Sequence, residues 1–175
     1  MNTANKLTMV RVVLIPVFLG VLYIGFQYSH YAAMAVFIIA GLTDIADGYI
    51  ARRRDQVTDF GKFMDPLADK VLVVAAMLWF VERGDIPAWA ALIVIIREFM
   101  VTALRLIAVD NGRVIAAAIS GKIKTIVSMI CLTAMFLPLA PWMIFACVVL
   151  ITGTTLISGV EYFVKNKDIL NFGNR

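Results

Sequence analysis

The sequence predicts an all-α integral membrane protein, with six transmembrane helices preceded by a short interfacial N-terminal helix. Three observations carry that expectation. The 175 residues are 62% hydrophobic with a mean hydropathy of +0.89, values outside the usual range of soluble domains. Apolar runs of about 20 residues, the length that crosses a hydrocarbon core, recur along nearly the whole chain. Basic residues gather in the segments on one side of those runs and avoid the segments on the other. Little sequence remains for a soluble region, so residues 1–175 are expected to form a single membrane domain.

Residues 1–11, MNTANKLTMVR, are polar enough to lie along the interface as a short amphipathic helix. The first span, about 12–28, is too long for a signal-peptide core and lacks a cleavage site, so it stays as a helix. Pro16 is expected to bend its start. The link Ser29-His30-Tyr31 follows, with His30 expected to be a solvated loop residue. The second span, 32–51, carries Asp44, Asp47, Gly48 and Ala51 towards its end. After a loop over 53–60, Gly61 opens the third span, 62–82, whose first turns hold Asp65 and Asp69. Pro66 fits there because the first turn of a helix needs no backbone donor. The link 82–87 leads to the fourth span, 87–109, with Arg97, Glu98 and Arg105. The fifth, 115–137, carries Lys122 and Lys124, and Pro138-Leu139-Ala140-Pro141 introduces the sixth, 141–163. Residues 166–175 are expected to be a flexible tail.

The formal charge is +4, and its distribution says more than its sum. The links 29–31, 82–87 and 138–141 together hold one basic residue, Arg83. The opposite edge holds Lys6, Arg11, the Arg52-Arg53-Arg54 run, Lys62, Arg113, Lys122, Lys124, Lys165 and Lys167. The positive-inside rule then puts both termini in the cytoplasm. A basic edge of this kind, with no nucleic-acid module, suits lipid headgroups or a phosphorylated substrate rather than nucleic acid. The two cysteines, Cys131 and Cys147, sit in apolar runs as packing residues, so neither a disulfide framework nor a zinc site is expected.

The stretch 44–69, DIADGYIARRRDQVTDFGKFMDPLAD, holds the chemistry. Asp44 and Asp47 are three apart, Asp65 and Asp69 four apart, and each interval puts both residues on one helix face. Carboxylates in a membrane segment cost roughly 2.5–3.5 kcal/mol each, so four cost on the order of 10 kcal/mol unless neutralised. Hard divalent cations are the natural neutraliser for oxygen ligands. Two such ions would balance four carboxylates and suit the clamping of a phosphoryl group. Arg52, with Arg53 or Arg54, would offset remaining phosphate charge. A plain salt-bridge cap between these acids and the arginine run is the simpler alternative. Gly48 and Ala51 either let a ligand approach the helix backbone or only allow tight helix packing. Spacing alone leaves both open.

The pattern Asp44-x2-Asp47-Gly48-x2-Ala51-Arg52-x8-Gly61-x3-Asp65-x3-Asp69 fixes eight positions over 26 residues. It resembles, without mismatch, the signature of the CDP-alcohol phosphotransferase family, and the six-span topology extends the resemblance over essentially the whole chain. The resemblance implies transfer of a phosphatidyl group from CDP-diacylglycerol to an alcohol, with release of CMP. It makes Asp44, Asp47, Asp65 and Asp69 ligands of two divalent cations, Mg²⁺ or Mn²⁺. It makes Gly48, Ala51, Arg52 and Gly61 part of the CDP pocket, with Asp44 and Asp65 beside it. Asp69 is the implied general base for the acceptor hydroxyl. Although a metal-bound carboxylate is a weak base, it can accept a proton as the hydroxyl pKa falls near metal. Asn5-x-Leu7-Thr8-x2-Arg11 is similar to a segment that borders the nucleotide in this family, so Asn5, Thr8 and Arg11 join the substrate-binding set. The resemblance also implies a homodimer in a bacterial cell membrane.

The acceptor is read from a second polar set. Arg97 and Glu98 lie well inside the fourth span, and Arg105 falls seven residues after Glu98, on nearly the same face. Lys122 and Lys124 follow in the fifth span. Cations at this depth suit an anionic substrate group, with Glu98 available to neutralise Arg97 or Arg105. Arg97-Glu98-Phe99-x-Val101-Thr102-x-Leu104-Arg105 and Gly121-Lys122-x-Lys124-Thr125 resemble the phosphatidylglycerophosphate synthase branch. That implies sn-glycerol 3-phosphate as acceptor, its phosphate held by Arg105, Lys122 and Lys124. Inositol-phosphate, serine and cardiolipin synthases of the same family are the alternatives. A divalent-cation carrier is the alternative of another class, since intramembrane acids also mark ion paths.

Overall fold

The computed structural model describes the backbone of residues 3–54, 59–110, 112, 113, 115 and 118–170, and the side chains of 9–43, 70–109, 112, 113, 115 and 118–168. Among these residues every regular element is helical. The order is α1 (Thr3–Ile24), α2 (Ser29–Arg54), α3 (Asp59–Glu82), α4 (Ala88–Asp110), α5 (Ile119–Met135) and α6 (Pro141–Lys165), then a 3₁₀ turn, Lys167–Leu170.

Helix ends follow local chemistry. Gly84 and Gly112 take left-handed backbone angles, φ +80° and +69°, which cost an L side chain but not glycine. Each closes a Schellman cap. After α4, Gly112 N–H donates to the Val109 carbonyl at 2.9 Å and Arg113 N–H to that of Ala108 at 2.8 Å. After α3, Gly84 bonds to Val81 at 3.0 Å and Asp85 to Phe80 at 2.9 Å in the same pattern. Helix α6 begins with Pro141 after an extended Ala140, the position where the missing proline N–H costs nothing.

The chain divides into two compact units, Met1–Trp79 with Leu132–Leu139, and Phe80–Cys131 with Ala140–Arg175. In the first, α1 packs against α2. Its core centres on three aromatic rings, Phe18, Phe37 and Phe136, whose centroids lie 5.9 to 6.1 Å apart. In the second, α4 packs against α6 and the 3₁₀ turn. There Val101, Leu104 and Tyr162 form a buried cluster with Ile115 and Ala118 against it.

Helix α6 is long and apolar enough to cross a bilayer, and only 33% of its most apolar stretch is buried. The core helix of a soluble protein would bury far more. Its outward residues are Trp142, Phe145, Ile157, Val160 and Val164, each more than 60% exposed. Apolar surface of that kind is suited to contact with lipid. Among the described residues α6 alone passes this test of length and composition.

Several boundaries depart from the sequence-based expectation. Of the expected separate interfacial helix over 1–11, the described residues 3–11 are the first part of a continuous α1, because nothing in KLTMVRVV breaks a helix. The first span ends at Ile24, not near 28, with Gly25 at φ +67°. His30 is half-buried within α2, its ring 6.4 Å from that of Trp79, rather than a solvated loop residue. Helix α3 opens at Asp59, so Pro66 lies beyond its first turn. Helix α5 starts only at Ile119. Part of the expected tail is the 3₁₀ turn, fastened by an Arg113–Asp168 ion pair at 2.5 Å.

Candidate active site

Two helices carry the described backbone of the acidic stretch: residues 44–54 complete α2 and residues 59–69 open α3. At 100° per residue, Asp44, Asp47, Gly48 and Ala51 fall within about a 100° arc of α2. Gly61, Asp65 and Asp69 fall within about 80° of arc on α3 by the same count. The backbone therefore carries each pair of acids on one face, as the spacing requires. The side chains of 44–69, and with them the expectations for Asp44, Asp47, Gly48, Ala51, Arg52, Gly61, Asp65 and Asp69, lie outside the described residues. Asn5 and Thr8 lie on α1, their side chains also outside. Arg11 is on α1 and fully buried, which a long cation tolerates only when its charge is answered.

Whether a divalent cation fits is decided by donor chemistry. Four carboxylates supply hard oxygen donors in two helical pairs, the set such ions prefer. Among the described residues no other group of three or more His, Cys, Asp or Glu could hold a metal.

The second polar set is described in full, and the structure arranges it more specifically than spacing could. Arg97 Nη1 donates to Glu98 Oε1 at 2.9 Å, and Lys124 Nζ donates to the same oxygen at 2.6 Å. Two cations sharing one carboxylate leave one net positive charge. Arg97 Nη2 donates to Ser158 Oγ at 2.6 Å. Lys124 is 6% exposed, a depth that an ammonium group accepts only with such a partner. Gly159 makes room: a Cβ there would come 3.3 Å from Arg97 Cγ, tighter than ordinary contact, whereas one on Gly121 would meet Arg97 Nη2 at an ordinary 3.6 Å.

Arg105 has a different partner. Its Nε and Nη2 both donate to the hydroxyl of Tyr162, at 3.2 and 2.5 Å. Its Cζ lies 5.3 Å from the centre of the Tyr162 ring, and that of Arg97 lies 5.8 Å from it. Glu98 thus pairs with Arg97, as expected, and with Lys124 in place of Arg105. Lys122 is exposed, and two residues along a helix set it about 200° from Lys124.

Ser158 and Tyr162 are hydrogen-bond partners of the two arginines that the sequence-based expectation does not include. A signal exists: Thr152, Thr155, Ser158 and Tyr162 repeat at three- and four-residue steps through an oily span. All four are buried.

Residues 1–156 match the family model described as CDP-alcohol phosphatidyltransferase. The chain belongs to that family, a class of membrane-associated phosphatidyltransferase enzymes that use divalent metal ions. It is 41% identical to the CDP-diacylglycerol–glycerol-3-phosphate 3-phosphatidyltransferase of Bacillus subtilis, the match covering 99% of each chain. It is 39% identical to a probable phosphatidylglycerophosphate synthase of Mycobacterium tuberculosis, over 94% of this chain and 81% of that protein. With the Escherichia coli K12 protein of the same name as the Bacillus one, it shares 41% identity over 75% of this chain and 74% of the other.

Proposed function

We propose that the chain transfers the phosphatidyl group of CDP-diacylglycerol to sn-glycerol 3-phosphate, giving phosphatidylglycerophosphate and CMP. The observation that carries this is the 41% identity, end to end, with the Bacillus protein of that name. The acid spacing of α2 and α3 and the cations of α4 and α5 support it independently.

Asp44, Asp47, Asp65 and Asp69 hold two divalent cations, Mg²⁺ or Mn²⁺, in this reading. Bound there, the ions supply Lewis-acid stabilisation of charge on the transferring phosphoryl group. Gly48, Ala51, Arg52 and Gly61, with Asn5, Thr8 and Arg11, seat the CDP moiety. Of the three expected cations, Arg105 is the one free of a carboxylate partner in the described network and is taken as the main contact of the acceptor phosphate; Lys124 is paired with Glu98 and Lys122 lies on another face of α5. The free primary hydroxyl of the acceptor attacks the β-phosphorus of CDP-diacylglycerol while the bond from phosphorus to the CMP oxygen breaks. The hydroxyl proton passes to Asp69 and CMP leaves with the bonding pair. Orienting both substrates converts a bimolecular encounter into an effectively intramolecular one.

Six membrane spans, with both termini and the aspartates on the cytoplasmic side, fit the basic residues clustered on one edge. The lone basic residue of the opposite links, Arg83, is paired with Asp85 at 3.0 Å, which further weakens positive charge there. A homodimer is the proposed assembly. The test is purified protein with CDP-diacylglycerol, Mg²⁺ and one alcohol at a time. Release of CMP with glycerol 3-phosphate is expected; release with inositol phosphate or serine instead would reassign the acceptor. Ion flux into liposomes without CMP release would favour a cation carrier.

A further inference from the structure

We propose that Tyr162 is a positioning residue for the acceptor: its hydroxyl fixes the Arg105 guanidinium so that one edge stays presented to the acceptor phosphate. The inference rests on the reading of Arg105 as a phosphate contact and adds to it how that contact is aimed.

The argument begins with a difference in freedom. Arg105 is exposed, and a long exposed cation loses rotamer entropy when it binds. Tyr162 is 2% exposed, its ring wedged against Val101 and Leu104. A buried phenol with one torsion locked by packing is a fixed acceptor. It takes the Nε–Nη2 edge of Arg105 with two hydrogen bonds, its ring centre 5.3 Å from the Arg105 Cζ. A guanidinium has five N–H donors in a rigid fork. With one edge on the tyrosine, the Nη1–Nη2 end remains, and that end matches two phosphate oxygens.

The neighbouring guanidinium is held by other means. Arg97 is fastened to Glu98 and Ser158, and its Cζ lies 5.8 Å from the same ring. Its charge is answered by a carboxylate, whereas Arg105 is held by a neutral hydroxyl that leaves its charge intact. The tyrosine therefore orders a cation without neutralising it, which is what an anion-binding arginine needs.

The experiment uses the full chain in detergent micelles and measures KM for both substrates by CMP release. Tyr162→Phe keeps the packed ring and removes only the oxygen. It is expected to raise KM for glycerol 3-phosphate about tenfold, the scale of a hydrogen bond to a charged group, with kcat changing less and KM for CDP-diacylglycerol unchanged. Arg105→Ala is expected to raise the same KM further. In that background Tyr162→Phe adds nothing, because two residues acting as one unit are non-additive. Arg105→Lys, which keeps the tyrosine and loses the fork, tests the same point separately and is expected to match Tyr162→Phe. The inference is overturned if Arg105→Ala raises KM for glycerol 3-phosphate while Tyr162→Phe and Arg105→Lys do not. It is also overturned if Tyr162→Phe raises both KM values equally, or keeps its full effect without Arg105. If Arg105→Ala itself leaves KM for glycerol 3-phosphate unchanged, the acceptor assignment falls first and the inference with it.

Discussion

The acidic stretch of α2 and α3 and the basic cluster of α4, α5 and α6 face the same physical difficulty and meet it in opposite ways. The first holds six aspartates within 26 residues, four of them (Asp44, Asp47, Asp65 and Asp69) in two helix-face pairs, and the proposed answer to those four is an external one, divalent cations. The second answers charge from within: one carboxylate, Glu98, serves both Arg97 and Lys124, and a phenol orders Arg105. On that proposal the first region would be complete only when loaded, whereas the contacts of the second are made by the chain itself. Variants in the first should therefore change chemistry and metal response, and variants in the second should change stability or affinity for one substrate.

The largest expected effect lies in the first region. Asp69→Asn should lower the rate of CMP release by about 10²–10⁴-fold, the usual contribution of a general base, with no loss of folded protein. Chelation of the native enzyme should abolish release, and added Mg²⁺ should restore it. An Asp69→Asn preparation as active as the native one would remove the catalytic reading of the tetrad.

Next comes Glu98→Gln. The change leaves two cations facing each other at a site where Lys124 and Arg97 are 7% and 11% exposed in their side chains. Breaking such a pair costs about 3 kcal/mol, visible as a lower midpoint of thermal unfolding in detergent. Removing one cation as well, Glu98→Gln with Lys124→Met, should recover part of that loss. An unchanged midpoint for the single variant would mean that the network is not holding these helices.

The smallest effect separates two glycines of α6. Gly153 has nothing within 4 Å of an added Cβ, so Gly153→Ala should gain up to about 1 kcal/mol of helix propensity. Gly159→Ala brings a Cβ to 3.3 Å from Arg97 Cγ, and Arg97 is pinned at its far end by Glu98 and Ser158. It should gain nothing or lose slightly. Equal gains from the two would show that Arg97 is freer than its bonds imply.

The two regions also differ in how far the amino-acid sequence reveals them. The acids are legible because their spacing is the helical period itself, and α2 and α3 run through them. The basic cluster is legible only as residue types. Its partners are remote in sequence: Arg97 and Ser158 are 61 apart, Arg105 and Tyr162 57, Lys124 and Glu98 26. No local pattern encodes which cation finds the carboxylate and which the phenol. Helix number follows from apolar runs, whereas ends depend on single residues. Gly25 stops α1 early, and the absence of a breaker before Val12 lets it start at Thr3. Tyr162 and Ser158 are hidden for a related reason, since a tyrosine and a serine in an oily span read as packing until their partners are known.

The division of labour between the regions is tested most directly by measuring both KM values in two variants, Arg52→Ala in α2 and Arg105→Ala in α4. A crossed pattern is predicted: Arg52→Ala raises KM for CDP-diacylglycerol and spares that for glycerol 3-phosphate, while Arg105→Ala does the reverse. Both variants raising both values together would contradict the account.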